Sequence, residues 1–103
     1  MTMSDELHQL SIIIPVYNEE RTVIPLLELV LAAPLSVDRE IIVVDDGSTD
    51  QSAQLIEQFL CEHPDASVTF LRKQNGGKGS AVKLGLRHAI GDLVIIQDAN
   101  RMP

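Results

Sequence analysis

Several common protein classes need things this sequence has little of. It has one cysteine, Cys61, so no internal disulfide can form and the chain suits a reducing compartment. Its three histidines, His8, His63 and His88, lie far apart with no ligand spacing, which leaves a structural zinc site without donors. Tryptophan is absent, and Tyr17, Phe59 and Phe70 are the only aromatics, so the core has to be aliphatic. Eight Lys and Arg stand against fifteen Asp and Glu, a formal charge of −7. A nucleic-acid binder needs a basic stripe for the phosphates, so that class is excluded. A small anionic ligand would have to be held by local dipoles and a cation rather than by the overall field. No run approaches the roughly 18 uninterrupted apolar residues of a membrane span. The opening M-T-M-S-D-E-L has no basic segment followed by an apolar one, so a secretion signal is not expected and a cytoplasmic location is.

What is present describes one α/β domain over residues 1–103, large enough to bury roughly two thirds of its unfolded surface. The organising stretch is I-I-V-V-D-D-G-S-T-D, Ile41 to Asp50. Four β-branched apolar residues in a row read as a strand buried on both faces, as in a parallel sheet covered by helices. Leu10 to Val16 repeats that signal, with Pro15 ending the ladder because it has no N–H to donate. Shorter strands are expected at Ser67 to Leu71 and Leu93 to Ile96.

Helical spacing separates the strands. Val23, Leu26, Leu27, Val30 and Leu31 recur at i, i+3, i+4, i+7 and i+8, which predicts a helix over Arg21 to Ala33 with Pro25 in its first turn. A second helix, capped by Thr49 or Asp50, is expected to reach Cys61, with Ala53, Ile56, Phe59, Leu60 and Cys61 inward. A third is expected over Ser80 to Ile90 with Val82, Leu86 and Ala89 or Ile90 inward. Strand alternating with helix means βαβ units, a mostly parallel sheet and right-handed crossovers. The predicted strand order is 3-2-1-4, with a ligand crevice at the carboxyl ends where the order reverses.

Three strand ends deliver polar groups to that crevice. The first brings Pro15, Tyr17 and Glu19, the second Asp45 and Asp46, and the fourth Asp98 and Asn100. Carboxylates gathered there suit hydrogen bonding to a ribose or base, or a divalent cation held against phosphates. Taken singly, each has a plainer reading. Asp45 or Asp46 can cap the next helix, Glu19 and Glu20 can complement a helix N-terminus, Asp98 can sit in a solvated turn, and Tyr17 can pack. Gly76-Gly77-Lys78-Gly79 lacks the P-loop spacing, because Arg72 stands where its first Gly belongs and Gly79 where Ser or Thr belongs. No G-x-G-x-x-G follows the first strand, and no Ser/His/Asp or Cys/His nucleophile system is present, so no catalytic residue is assigned.

The blocks S-I-I-I-P-V-Y-N-E-E (Ser11 to Glu20), I-I-V-V-D-D-G-S-T-D, N-G-G-K-G-S-A (Asn75 to Ala81) and G-D-L-V-I-I-Q-D-A (Gly91 to Ala99) occur in one order. Together they resemble family 2 glycosyltransferases of the GT-A fold, especially the dolichyl- or polyprenyl-phosphate sugar synthases. The resemblance implies the three-layer, Rossmann-like nucleotide-binding half of that fold. It implies a UDP- or GDP-sugar site in which Pro15, Tyr17, Glu19, Val44 and Asp46 surround the nucleoside and Asp98 and Ala99 join the donor-binding set. It also implies that Asp98 and Asn100 form the D-x-D position that carries Mg2+ or Mn2+ against the diphosphate. Asn100 stands where the family has Asp. Losing a unit charge about 4 Å from another forfeits up to roughly 4 kcal/mol at an effective dielectric of about 20, so metal binding is expected to be weakened.

Family enzymes continue past the point matching Pro103 with the acceptor surface. The expectation is therefore a truncated donor-binding half, inactive alone, acting with a lipid-phosphate acceptor at a membrane surface in the full-length enzyme. The alternatives are a non-catalytic nucleotide-binding module, a subunit completed by a partner chain, or a Rossmann-like domain with incidental acids. Leu93 to Ile96 is apolar on both faces with no successor strand, so self-association through that edge is expected.

Overall fold

The computed structural model describes residues 9–99. Its elements follow in the order β1 (Gln9–Val16), α1 (Val23–Ala32), β2 (Asp38–Asp45), α2 (Ser52–Glu62), β3 (Val68–Arg72), α3 (Lys78–His88) and β4 (Leu93–Ile96). The four strands form one parallel sheet in the order β3-β2-β1-β4, as the alternation predicts. Within the described residues no helix is long and apolar enough to cross a membrane.

Strand alternation divides the core into two layers. Leu10, Ile12, Ile14 and Val16 of β1, with Ile41 and Val43 of β2, pack against Val23, Leu26 and Leu27 of α1 and Ile56 and Phe59 of α2. Ile13, Ile42 and Val44 face the other way, onto Ala81 of α3. Two helices on one face and one on the other is what right-handed crossovers require when the chain steps outward to β3 and then returns beyond β1. The reversal lies between β1 and β4.

Pro15 explains where pairing stops. The Ile13 carbonyl accepts the Gln97 N–H at 2.9 Å, and Pro15, two residues on, turns to the same neighbour with no N–H to give. The β1–β4 register ends at Ile13 and Ile96, while the β1–β2 ladder continues to Val16 and Asp45. Pro15 thus ends one ladder, not both, and leaves the β1 and β4 ends apart.

Other expectations shift. α1 begins at Val23 with Pro25 in its first turn, and α3 begins at Lys78, two residues before Ser80. The residue capping α2 is Gln51, while the Asp50 carboxylate reaches in from one position earlier to accept the Ser52 N–H at 2.8 Å. Cys61 is exposed, because α2 buries Ser52, Ala53, Ile56 and Phe59 and turns Cys61 outward. The inward face of α3 is also not the expected one. It presents Ala81 and Gly85, whereas Leu86 and Ile90 are exposed, Ile90 at 73%. The physical reason is close approach: a Cβ at residue 85 would lie 2.7 Å from Ile13 Cγ2, so the helix lies on the sheet through Ala81 and Gly85, with Leu84 and the expected Ala89 half-buried beside them.

Candidate functional site

A cleft of about 300 Å³ opens at the carboxyl ends of the strands, lined by Pro15, Val16, Tyr17, Glu19, Asp46, Asn75, Gly77, Lys78 and Asp98. Five of the residues singled out from the sequence therefore share one wall system: Pro15, Tyr17, Glu19, Asp46 and Asp98. Val44 does not line it, being fully buried in the core beneath α3. Ala99 is also fully buried, in the core layer of α1 and α2. Asn100 lies outside the described residues.

The adjacent aspartates part company. Asp45 is the last residue of β2, and strand alternation turns it toward the α1 and α2 face. It is fully buried, its Oδ2 accepting the Ser48 N–H at 3.2 Å and lying 3.8 Å from Nε of the half-exposed Arg72. Its Oδ1 has no hydrogen-bond partner among the described residues. Asp45 belongs to the turn, and Asp46 to the cleft.

Asp46 is 3% exposed and heavily partnered. Its carboxylate takes the Lys73 ammonium at 2.8 Å, the Gly76 N–H at 3.0 Å and the Gly77 N–H at 2.9 Å. Its carbonyl accepts from the Asn75 carboxamide at 3.0 Å. Burial by itself would push the carboxyl pKa up, but Lys73 and the two N–H groups outweigh it and hold the pKa below its ordinary value. So Asp46 is a charged peg on which the loop between β3 and α3 hangs. Gly47 completes the fit: at φ +79° it sits where a Cβ would lie 2.7 Å from the Asn75 backbone nitrogen.

A second set of contacts locks the β1–α1 loop to the β2–α2 loop. Asn18, in the left-handed region at φ +52°, accepts the Thr49 N–H at 2.8 Å and the Asp50 N–H at 3.2 Å through Oδ1. In return the Asn18 N–H goes to Ser48 Oγ, the Glu19 N–H to Ser52 Oγ and the Glu20 N–H to Asp50 Oδ2. Folding lowers the Asp50 pKa too: burial opposes the charge, and the Ser52 hydroxyl and N–H with the Glu20 N–H more than offset it. The sequence reading missed this clamp. Its only trace was an Asn, a residue that tolerates left-handed backbone, two positions past the end of β1.

Asp98, just past β4, forms an ion pair with Lys78 at the start of α3, across the cleft. Its carboxylate already holds a cation and offers hard oxygens of the kind Mg2+ and Mn2+ select. No group of three or more His, Cys, Asp or Glu converges among the described residues, so their side chains alone make no closed metal cage. A cation that keeps waters and shares a ligand's phosphates with one or two carboxylates fits this donor set.

Comparison with known proteins places the chain. The Pectobacterium carotovorum undecaprenyl-phosphate 4-deoxy-4-formamido-L-arabinose transferase is 40% identical to it over 100 residues, covering 95% of this chain and 31% of that protein. The chain thus spans about a third of that curated relative. Among solved structures, a Pyrobaculum calidifontis mannosyltransferase in complex with GDP-Man and Mn2+ superposes with a TM-score of 0.80 at 32% identity, over 88% of this chain and 27% of that one. S. aureus TarS 1-349, in complex with UDP-GlcNAc, gives 0.75 at 30% identity over 89% and 26%. With this fold, the Rossmann-like half of a GT-A enzyme, and with the glycosyl transferase family 2 sequence model matching residues 11–100, the chain belongs to glycosyl transferase family 2.

Proposed function

We propose that this chain is the donor-binding part of a transferase that moves a sugar from a UDP- or GDP-linked donor to a lipid phosphate of the polyprenyl class. The observation that carries the reading is the convergence of Pro15, Tyr17, Glu19, Asp46 and Asp98 on one cleft at the β1–β4 reversal. Tyr17 is exposed and offers a ring face to a base, with Pro15 and Glu19 beside it. Asp46 acts by holding Asn75 to Gly77 in place, since its oxygens are already engaged. Val44 and Ala99 support the rim from the core. Asp98 with Asn100 would hold Mg2+ or Mn2+, which neutralises charge on the departing diphosphate.

In such a transfer an acceptor phosphate oxygen bonds to the anomeric carbon. The bond from that carbon to the donor's diphosphate oxygen breaks, and the nucleoside diphosphate leaves with the electron pair. A phosphate oxygen is already anionic, so the chain needs no strong base for this step. A lipid acceptor also implies contact with a membrane surface. Calorimetric titration with UDP, GDP and their sugars, with and without Mn2+, tests the reading, followed by an assay of transfer to a polyprenyl phosphate. Saturable, Mn2+-enhanced binding is expected, without turnover by this chain alone. No binding by any of these nucleotides would overturn it. Because the chain spans about a third of its relative, a second reading is a binding module completed by another chain; turnover restored by a partner would favour it.

A further inference from the structure

Lys78 stands in a position that helix physics disfavours. It is the first residue of α3, where the unpaired N–H groups and the macrodipole repel a cation. No acidic residue occupies that first turn and no side chain caps it, so nothing within α3 compensates. The compensation comes from across the cleft, from Asp98 beyond β4. A local rule broken at the mouth of a cleft points to a role in that cleft.

The cleft carboxylates are not equivalent. Asp46 is buried and saturated by Lys73, Gly76 and Gly77. Glu19 accepts from the Thr22 hydroxyl, at 3.4 Å. Asp98 is paired with a flexible ammonium whose own side chain is 57% exposed. That pairing can be exchanged at low cost, because a partly solvated lysine regains water when it lets go.

We infer that Lys78 is a displaceable internal counterion: it neutralises Asp98 when no ligand is bound, yields Asp98 to a divalent cation, and turns its ammonium to the diphosphate of the nucleotide. This deepens the donor-binding reading and rests on it. The exchange makes cation and nucleotide help each other. Lys78 competes with the cation for Asp98 when either would bind alone, and the competition becomes an attraction to phosphate once both are present.

The inference demands effects of opposite sign from one substitution. Lys78→Met removes the competitor, so Mn2+ alone, followed by its electron paramagnetic resonance, should bind roughly two- to fivefold tighter, the worth of a partly exposed ion pair. The same variant should bind UDP or GDP in saturating Mn2+ about tenfold more weakly, having lost a charge-assisted hydrogen bond. Lys78→Arg should keep both behaviours. Circular dichroism and the thermal midpoint should be little changed for Lys78→Met, because relief of the unfavourable helix-end charge offsets loss of the Asp98 pair. Mn2+ binding that is unchanged or weaker in Lys78→Met overturns the inference. So does nucleotide binding that does not fall. If the unaltered chain binds no nucleotide, the donor-binding reading fails, but the Mn2+ titration still decides displacement: tighter binding by Lys78→Met supports it, and no binding by either protein overturns it.

Discussion

The carboxamide oxygen of Asn18 lies 2.8 Å from the backbone nitrogen of Thr49, joining two strand-end loops that are 31 residues apart in sequence. With the reciprocal bonds from Asn18, Glu19 and Glu20 to Ser48, Ser52 and Asp50, this contact fixes the backbone on either side of Tyr17 and Glu19. Asn18→Ala should therefore cost twice, through the lost bonds and through left-handed strain, about 2 kcal/mol together. Asn18→Gly keeps the φ of +52° accessible and should cost about 1 kcal/mol. Urea midpoints of the two variants measure the difference. Equal midpoints would show that the backbone conformation carries no strain.

Acid should unfold the protein partly through Asp46. Folding lowers its pKa, and that of Asp50, below the reference value of 3.8. The folded state therefore binds fewer protons than the unfolded chain in this range. The stabilisation is complete above the unfolded pKa and is lost as pH falls through the folded pKa. Asp46→Asn should cost about 2–3 kcal/mol near neutral pH, because a neutral amide cannot satisfy Lys73 and two N–H groups together. It should also flatten the loss of stability below about pH 4. Denaturant melts from pH 7 to pH 3 would show both effects, and an unaltered acid slope would rule Asp46 out as its source. Asp46→Ala should in addition abolish nucleotide binding, by releasing the Asn75 to Gly77 loop.

Gly85→Ala sets two effects against each other. Helix propensity favours Ala by about 1 kcal/mol. The added Cβ, however, would sit 2.7 Å from Ile13 Cγ2, a branched core atom that cannot swing away. Overpacking costs about 1–3 kcal/mol, so the net effect should be destabilising and appear as a lowered thermal midpoint. A raised midpoint would mean that α3 can lift from β1 without penalty.

The contrast between these positions shows what could be read from the chain. The strand order was legible because buried parallel strands announce themselves as β-branched runs and the handedness of crossovers leaves few topologies. The rim of the cleft was legible for the same reason: residues just past a strand end can go only to that edge. What failed was any inference that needed a distance. The face of α3 was assigned to Val82, Leu86 and Ala89 or Ile90; Ala89 does pack on the core, but Leu86 and Ile90 face out, and packing chose Ala81 and Gly85 so that the backbone could approach Ile13. Asp45 and Asp46 were treated as a pair although a period of two separates consecutive residues. The Asn18 clamp and the loop hung on Asp46 join segments about 30 positions apart, and nothing local in either segment names its partner.

The edge of the sheet carries the last prediction. Leu93, Ile95 and Ile96 of β4 are 46%, 43% and 47% exposed, on both faces of the strand that forms the sheet's margin among the described residues. Their neighbours on β1 are buried, so the apolar surface is concentrated at one margin. An open edge with apolar side chains is a template for pairing with another chain. The chain should therefore associate with itself as concentration rises, by joining β4 edges. Ile95→Lys places a charge on that margin without touching the cleft and should shift the protein toward monomer, leaving its affinity for UDP or GDP unchanged. Light scattering after size-exclusion chromatography, over a concentration series, reads the assembly directly. A monomer at every concentration would overturn the prediction that β4 edges pair.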